Sequence, residues 1–346
     1  MRILAVSAWN AERSDLSRLA TVAGPSGHDL RSVHVGPRPS GVSARTATLA
    51  AKVSKQLLLW RPKAALIELG PTTSAVAPAL TAARVPFIVW APDQLLSLSS
   101  EETGTWMGPA LGHTCRSAAG VVVGSDAAAE WLSAHAGVSE MELLQRGVDL
   151  QQLPLGARAE AKAALGLPPD RPVLGLIADL QAWTRLDLLG FAQRKMPGVA
   201  LLVAGEGPQE PAIFAMSAST RPSSPVIHVG PVSPATRVLT GCAADVGLAL
   251  DRRGLGDEAW NLAALGRRQV TFEVPGTDSL AAVYPEHRTV FAAPEDPTAL
   301  RQVLDGALQE ELQQGPLPEA AVLTARAQLD EHTRWTRLLE RVAQCA

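Results

Sequence analysis

"VALLVAGEG", residues 199–207, is a run of six apolar residues that ends in a glycine turn. A short run that is apolar throughout, with no polar alternation, suits a strand covered on both faces. Gly205 and Gly207 then let the backbone turn tightly and approach closely whatever lies beyond the strand end.

The same unit recurs on both sides. Upstream stands "PVLGLIA" (172–178); downstream stand "VIHVG" (226–230), "ADVGLAL" (244–250) and "QVTFEV" (269–274). Before residue 150 the pattern runs through "RILAVSA" (2–8), "LRSVHVG" (30–36), "AALIELG" (64–70), "PFIVWA" (86–91) and "AGVVVGS" (119–125). Between these runs the spacing predicts helices, among them 11–23, 43–60, 73–83, 126–136 and 158–167. Pro78 argues against a regular interior for the third. Strands alternating with helices predict parallel sheets with both faces covered.

"VDLQQLPLG" (148–156) reads as a linker. The expected α/β architecture is two doubly wound, Rossmann-like domains, 1–150 and 151–325, and a C-terminal segment, 326–346. In that segment Trp335, Leu338, Leu339 and Val342 share one helical face, which predicts a packed helix.

Composition narrows the function. With 31 basic and 34 acidic residues the net charge is −3, which gives no overall basic field for nucleic acid. Cys115, Cys242 and Cys345 are odd in number and widely spaced, so neither a disulfide framework nor a zinc site is expected. The seven histidines show no metal-ligand spacing, and no bound metal is expected. "MRILAVSAW" reads as a strand rather than a leader peptide. No apolar stretch reaches the roughly 20 residues of a membrane span. The expected location is the cytoplasm or the inner membrane surface.

Ligands of doubly wound sheets bind beyond the carboxyl ends of the strands, so the loops there carry the functional reading. In the second domain they are "DLQAWTRLD", "GEGPQEP", "GPVSP", "DRRGLGDEAWN" and "PGTDSL". Glycines followed by a helix N-terminus offer backbone N–H groups and partial positive charge to a phosphate. "GLG" (254–256) has this form, with Asp257 read as the helix cap.

The order of these loops resembles the retaining GT-B glycosyltransferases, in the large family that includes sucrose synthases and bacterial mannosyltransferases. "ELLQRGVDLQQL" resembles the family's linker, "ALLVAGEGP" its Gly-x-Gly-Pro turn and "IHVGPVSP" its base-binding loop. "AAPEDPTALRQVL" resembles its closing strand and helix, and "HTRWTRLLERV" the helix that crosses back to the first domain. The resemblance covers residues from about 115 to the end, and residues 1–114 as a pattern. It implies GT-B architecture, with the two domains facing an interdomain cleft. It also implies a nucleotide-diphosphate sugar as co-substrate and no tightly bound cofactor. The acceptor would be a sugar, a lipid or a small molecule.

Residue by residue, the resemblance places the donor site at Asp179, Thr184, Arg185, Gly205, Gly230, Pro231, Val232, Gly254, Leu255, Gly256 and Asn261. Asp93 and Arg253 take the catalytic positions. Four of these depart from the family pattern. Asp179 and Thr184 stand where an Arg and a Lys grip the diphosphate, with Arg185 one residue later. Arg253 and Asn261 stand where two glutamates bind the sugar and the ribose. Asn261 still accepts a hydroxyl bond through its carbonyl oxygen; Arg253 accepts none. Asp257 and Glu258 would repel a phosphate unless Arg252, Arg253 or a metal compensates. A pyridoxal cofactor is not expected, because the second domain's Lys162 and Lys195 lie in no cleft-facing loop. Two readings therefore stand: an active glycosyltransferase with a diverged donor site, or an inactive GT-B shell that binds a partner protein.

Overall fold

The computed structural model describes residues 1–7, 16, 19–34, 42–70, 72–92, 95, 107–144, 147–251, 256–274, 277, 280, 289–292 and 296–346. Its contacts divide the chain into two compact units. One comprises Met1–Arg146 and His332–Ala346; the other comprises Gly147–Glu331.

The first unit is built on β1 (Arg2–Ser7), β2 (Asp29–His34), β3 (Ala64–Glu68), β4 (Phe87–Ala91), β5 (Gly120–Val123) and β6 (Glu142–Leu143). Their order is β2-β1-β3-β4-β5-β6, and every pair is parallel. β3 and β4 are buried at every position, as strands covered on both faces must be. The helices are α1 (Leu19–Ala23), α2 (Val42–Leu59), α3 (Val76–Ala82), α4 (Met107–Ser117) and α5 (Asp126–Ala136).

Local chemistry sets their ends. Ser125 caps α5 by accepting from the Ala128 amide at 3.1 Å, and Gly137 closes it in the left-handed region at φ 63°. The segment 73–83 is not one regular helix: a 3-10 turn, Thr73–Ala75, leads into α3, and Pro78 sits in the first turn of α3. It is the helix's third residue, where a backbone N–H has no intrahelical acceptor to lose.

The second unit is built on β7 (Val173–Ile177), β8 (Ala200–Ala204), β9 (Val226–Gly230), β10 (Val246–Ala249), β11 (Arg268–Phe272) and β12 (Thr289–Ala292). Their order is β12-β11-β10-β7-β8-β9, again parallel throughout. Its helices are α6 (Arg158–Ala164), α7 (Leu186–Arg194), α8 (Glu210–Ser219), α9 (Pro234–Ala243), α10 (Asp257–Ala264), α11 (Pro297–Gln314) and α12 (Glu319–Leu329).

A last helix, α13 (Glu331–Gln344), places Trp335, Leu338, Leu339 and Val342 in the core of the first unit, all 4% exposed or less. The Trp335 ring meets Trp90 of β4 edge-on at 5.3 Å.

Buried charge fixes the second unit's base. Lys162 Nζ donates to Asp245 Oδ2 at 2.8 Å, and Arg158 Nη1 donates to Asp245 Oδ1 at 2.8 Å. Arg158 Nη2 reaches Glu311 Oε1 at 2.9 Å. Asp245 Oδ2 also accepts from the Val173 amide. The lysine is thus a structural tie between α6 and the starts of β7 and β10.

Candidate functional site

In the second unit β7 and β10 are neighbours, with β8 and β9 on one flank and β11 and β12 on the other. Successive crossovers leave this pair in opposite directions, so a crevice opens at their carboxyl ends. A pocket of about 320 Å³ lies there. Ile177, Ala178 and Asp179 wall it after β7; Ala249, Leu250 and Asp251 wall it after β10. Thr184, Val232 and the start of α10 complete it, together with Arg237 of α9.

The start of α10 differs from expectation in one respect. The N-cap is Gly256, and Asp257 is the first helical residue. A glycine cap has no side chain to accept from the first-turn N–H groups. Among the described residues a Cβ at Gly256 would meet nothing within 4 Å.

The pocket also contains a device absent from the sequence expectations. Arg237 grips Glu258 of α10, with Nε at 3.1 Å from both carboxylate oxygens and Nη2 at 2.9 Å from Oε1. Asn261 Nδ2 donates to Glu258 Oε2 at 3.0 Å. Glu258 is thereby fixed as a pocket wall, and Arg237 meets its charge. Arg237 is the one Lys or Arg between Arg221 and Arg252. An isolated arginine four residues into a helix capped by Ser233 and Pro234 was the available signal.

Of the expected donor residues, Asp179, Thr184, Val232 and Gly256 line the pocket. Thr184 is buried, and its hydroxyl donates to the Asp179 carbonyl at 2.7 Å. Arg185 does not line it. Its guanidinium makes two 2.9 Å bonds to Asp187, which hold that carboxyl below its ordinary range. Asn261 stands behind Glu258 rather than on the wall.

Gly205 packs inside the loop. A Cβ there would overlap the Ala178 carbonyl oxygen, and one at Gly207 would lie 2.7 Å from the Leu180 carbonyl oxygen. Gly230, at φ 119°, ends β9 and accepts from the Gly205 amide at 2.8 Å. Pro231 is exposed beside it, its carbonyl accepting from Thr236. Asp93, Arg252, Arg253, Gly254 and Leu255 lie outside the described residues, as does the side chain of Trp183.

Charge at the pocket is mostly negative. Asp179, Asp251, Asp257 and Glu258 line it against Arg237 among the described residues. Asp251 and Asp257 each have interaction partners of their own. Among the described residues no three His, Cys, Asp or Glu side chains group as metal ligands.

The first unit has a matching switch point between β1 and β3. There Ser7 and Glu68, paired in register and fully buried, share a 2.5 Å bond from Ser7 Oγ to Glu68 Oε2. Glu68 is not among the expected site residues, because a lone acid at the end of an apolar run reads as a strand terminus.

No family model matches the chain. D-inositol 3-phosphate glycosyltransferase of Mycobacterium tuberculosis is 37% identical over 86 residues, which are 25% of this chain and 18% of that protein. The same-named protein of Mycolicibacterium paratuberculosis is 37% identical over 71 residues, 20% of this chain and 16% of the relative. The matches therefore span less than a fifth of these curated relatives.

Solved structures match over the whole length. Sucrose-phosphate synthase from Thermosynechococcus elongatus gives a TM-score of 0.76 at 14% identity, covering 99% of this chain and 98% of that one. HepE of Anabaena in complex with UDP gives 0.76 at 14% identity, covering 99% and 100%. HepE has also been solved with UDP-glucose. The fold is the two-unit, Rossmann-like GT-B fold, and the matched relatives are glycosyltransferases.

Proposed function

We propose, with the GT-B fold as premise, that this chain transfers a sugar from a nucleotide-diphosphate sugar to an acceptor hydroxyl with retention. Its donor site is the pocket between β7 and β10. The observation that carries this reading is the position of that pocket. It lies at the switch point of the second sheet and faces a helix start that carries no side-chain cap. The nucleotide-sugar complexes of HepE support the same ligand class.

The diphosphate lies at the first turn of α10, where backbone N–H groups and the helix dipole favour negative charge. Arg252 and Arg253 immediately precede that turn in sequence and supply fixed positive charge. Glu258 accepts from a ribose hydroxyl. A carboxylate offers about four lone-pair positions; three N–H groups of Arg237 and Asn261 take about three of them, which leaves about one for a ribose hydroxyl. Glu258 thus does the work that the family resemblance placed on Asn261, from one helical turn earlier. Val232 lies against the base.

In the reaction the bond from C1 of the sugar to the diphosphate oxygen breaks, and the acceptor oxygen bonds to C1. The acceptor proton goes to the departing diphosphate or to Asp93. Stabilising the leaving diphosphate is the main demand on the protein. The acceptor is a sugar, a lipid or a small molecule.

A binding module without catalysis is the competing reading. It draws on the four carboxylates that line the pocket. Incubation with a panel of nucleotide sugars, followed by proton NMR, separates the two. Release of nucleoside diphosphate with a product of unchanged anomeric configuration supports the transferase. Binding of a nucleotide sugar with no turnover in the presence of sugar and lipid acceptors supports the module.

A further inference from the structure

From Leu30 to Ile67 the chain carries no acidic residue, yet seven of its 31 Lys and Arg residues fall there. In a chain of net charge −3 this is local segregation, not average composition. The stretch folds as edge strand β2, helix α2 and the entry to β3.

At the end of α2, Leu58 and Leu59 are 76% and 74% exposed, more than any other large apolar residue described. Exposed cations surround them. Lys55 precedes them on the solvent face of α2, and Arg61 and Lys63 follow. Arg31 of β2 sets its guanidinium 4.9 Å over the Trp60 ring. Arg84 occupies the equivalent place before β4, after α3, which packs on α2.

Arg61 and Arg84 both adopt the left-handed backbone, at φ 52° and 54°, where glycine is the unstrained choice. Their charge suits the helix C-termini they follow. That effect accounts for neither the exposed leucine pair nor the absence of acids from Leu30 to the end of α2.

We propose that this edge of the first unit docks on an anionic lipid bilayer, with Leu58 and Leu59 entering the headgroup layer and the cations meeting lipid phosphates. Two adjacent leucines supply shallow apolar insertion, and the surrounding Lys and Arg supply attraction. Protein interfaces are depleted in lysine, which is prominent here. Single-stranded nucleic acid is bound largely through aromatic stacking, which leucine cannot give. The proposal is independent of the donor pocket.

Flotation of the full chain with extruded vesicles tests it. With about 30% phosphatidylglycerol, binding exceeds that to phosphatidylcholine alone by about tenfold or more, and about 0.5 M salt removes most of the gain. The Leu58→Ser/Leu59→Ser variant binds about fivefold more weakly. Its melting temperature is unchanged, since both side chains are exposed. Lys55→Glu/Lys63→Glu weakens binding further. Equal binding to both vesicle types, no binding, or undiminished binding by the serine variant would overturn the proposal. A dimer in sedimentation velocity that the serine variant loses, with no vesicle binding, would assign the surface to a second copy.

Discussion

Arg237 of α9 holds Glu258 of α10 with both its Nε and its Nη2, and so turns a carboxylate at the head of a helix into a rigid pocket wall. Both side chains are largely withdrawn from solvent, at 24% and 17% exposure. Charge-assisted bonds in such a setting contribute about 1.5–3 kcal/mol. Arg237→Met leaves Glu258 without its cation, lowers the melting temperature by a few degrees and weakens nucleotide binding. Glu258→Gln keeps most of the stability and weakens the binding. A thermal melt and a binding titration on each variant check the pair. Equal effects of both variants on both readouts would make the pair structural.

The glycines separate in the same way. Gly205→Ala drives a methyl into the Ala178 carbonyl and costs roughly 2–3 kcal/mol of stability. Gly256→Ala meets nothing within 4 Å among the described residues and has an ordinary φ of −77°, so stability changes by less than about 1 kcal/mol. Its effect is on ligand affinity, because the added methyl stands at the head of α10. Denaturant unfolding and titration of both variants test this contrast.

Lys162 is 2% exposed and ties Asp245 to the backbone at Pro169 and Arg171. Removing one partner of a buried ion pair costs about 3 kcal/mol or more. Lys162→Met therefore lowers the melting temperature by roughly 5–10 °C. Nucleotide affinity in the folded fraction stays unchanged, since the tie lies away from the pocket. A matching loss of affinity at low temperature would contradict this assignment.

His28 and His34 make the first unit sensitive to mild acid. Burial first, then the N-terminal ammonium, lowers the His28 pKa below 6.5, with Glu340 partly opposing. Burial first, then Lys52, lowers that of His34. The Nδ1 atoms of both are buried with no hydrogen-bond partner among the described residues. The unfolded chain therefore binds protons first as pH falls. Stability is complete above pH 6.5 and is lost between 6.5 and the two folded-state values. Melting temperatures across pH 7.5 to about 5 fall in the native chain and fall less in His28→Gln/His34→Gln. Parallel curves would place the acid sensitivity elsewhere.

Much of the fold was legible because the signals were local. The apolar runs at 173–177 and 200–204 are too short for helices and too apolar for exposed strands. The stripe of Trp335, Leu338, Leu339 and Val342 named its own buried face. Pro78 marked an irregular segment, and the sequence did not show that the regular helix would begin two residues before it. The site was legible at the level of loops and not of partners. Asp179 reaches the pocket because it follows the end of β7, and Gly256 because it caps the start of α10. Arg237 lies 21 residues before Glu258, and only the packing of α9 beside α10 brings the two together. Arg185, adjacent in sequence to Thr184, is diverted by Asp187 two residues later.

The most direct test is a binding titration of the native chain and Glu258→Gln with UDP, GDP, ADP, TDP and CDP. It is repeated with the 2′,3′-dideoxy form of whichever nucleotide binds. The account predicts that one nucleotide raises the stability of the native chain, by about 2.7 kcal/mol at roughly 100 times its Kd. The dideoxy form binds more weakly to the native chain, and Glu258→Gln does not distinguish the two. No binding by any nucleotide would contradict the donor-site reading itself. Binding with the same dideoxy penalty in both proteins would keep the site and remove Glu258 from ribose recognition.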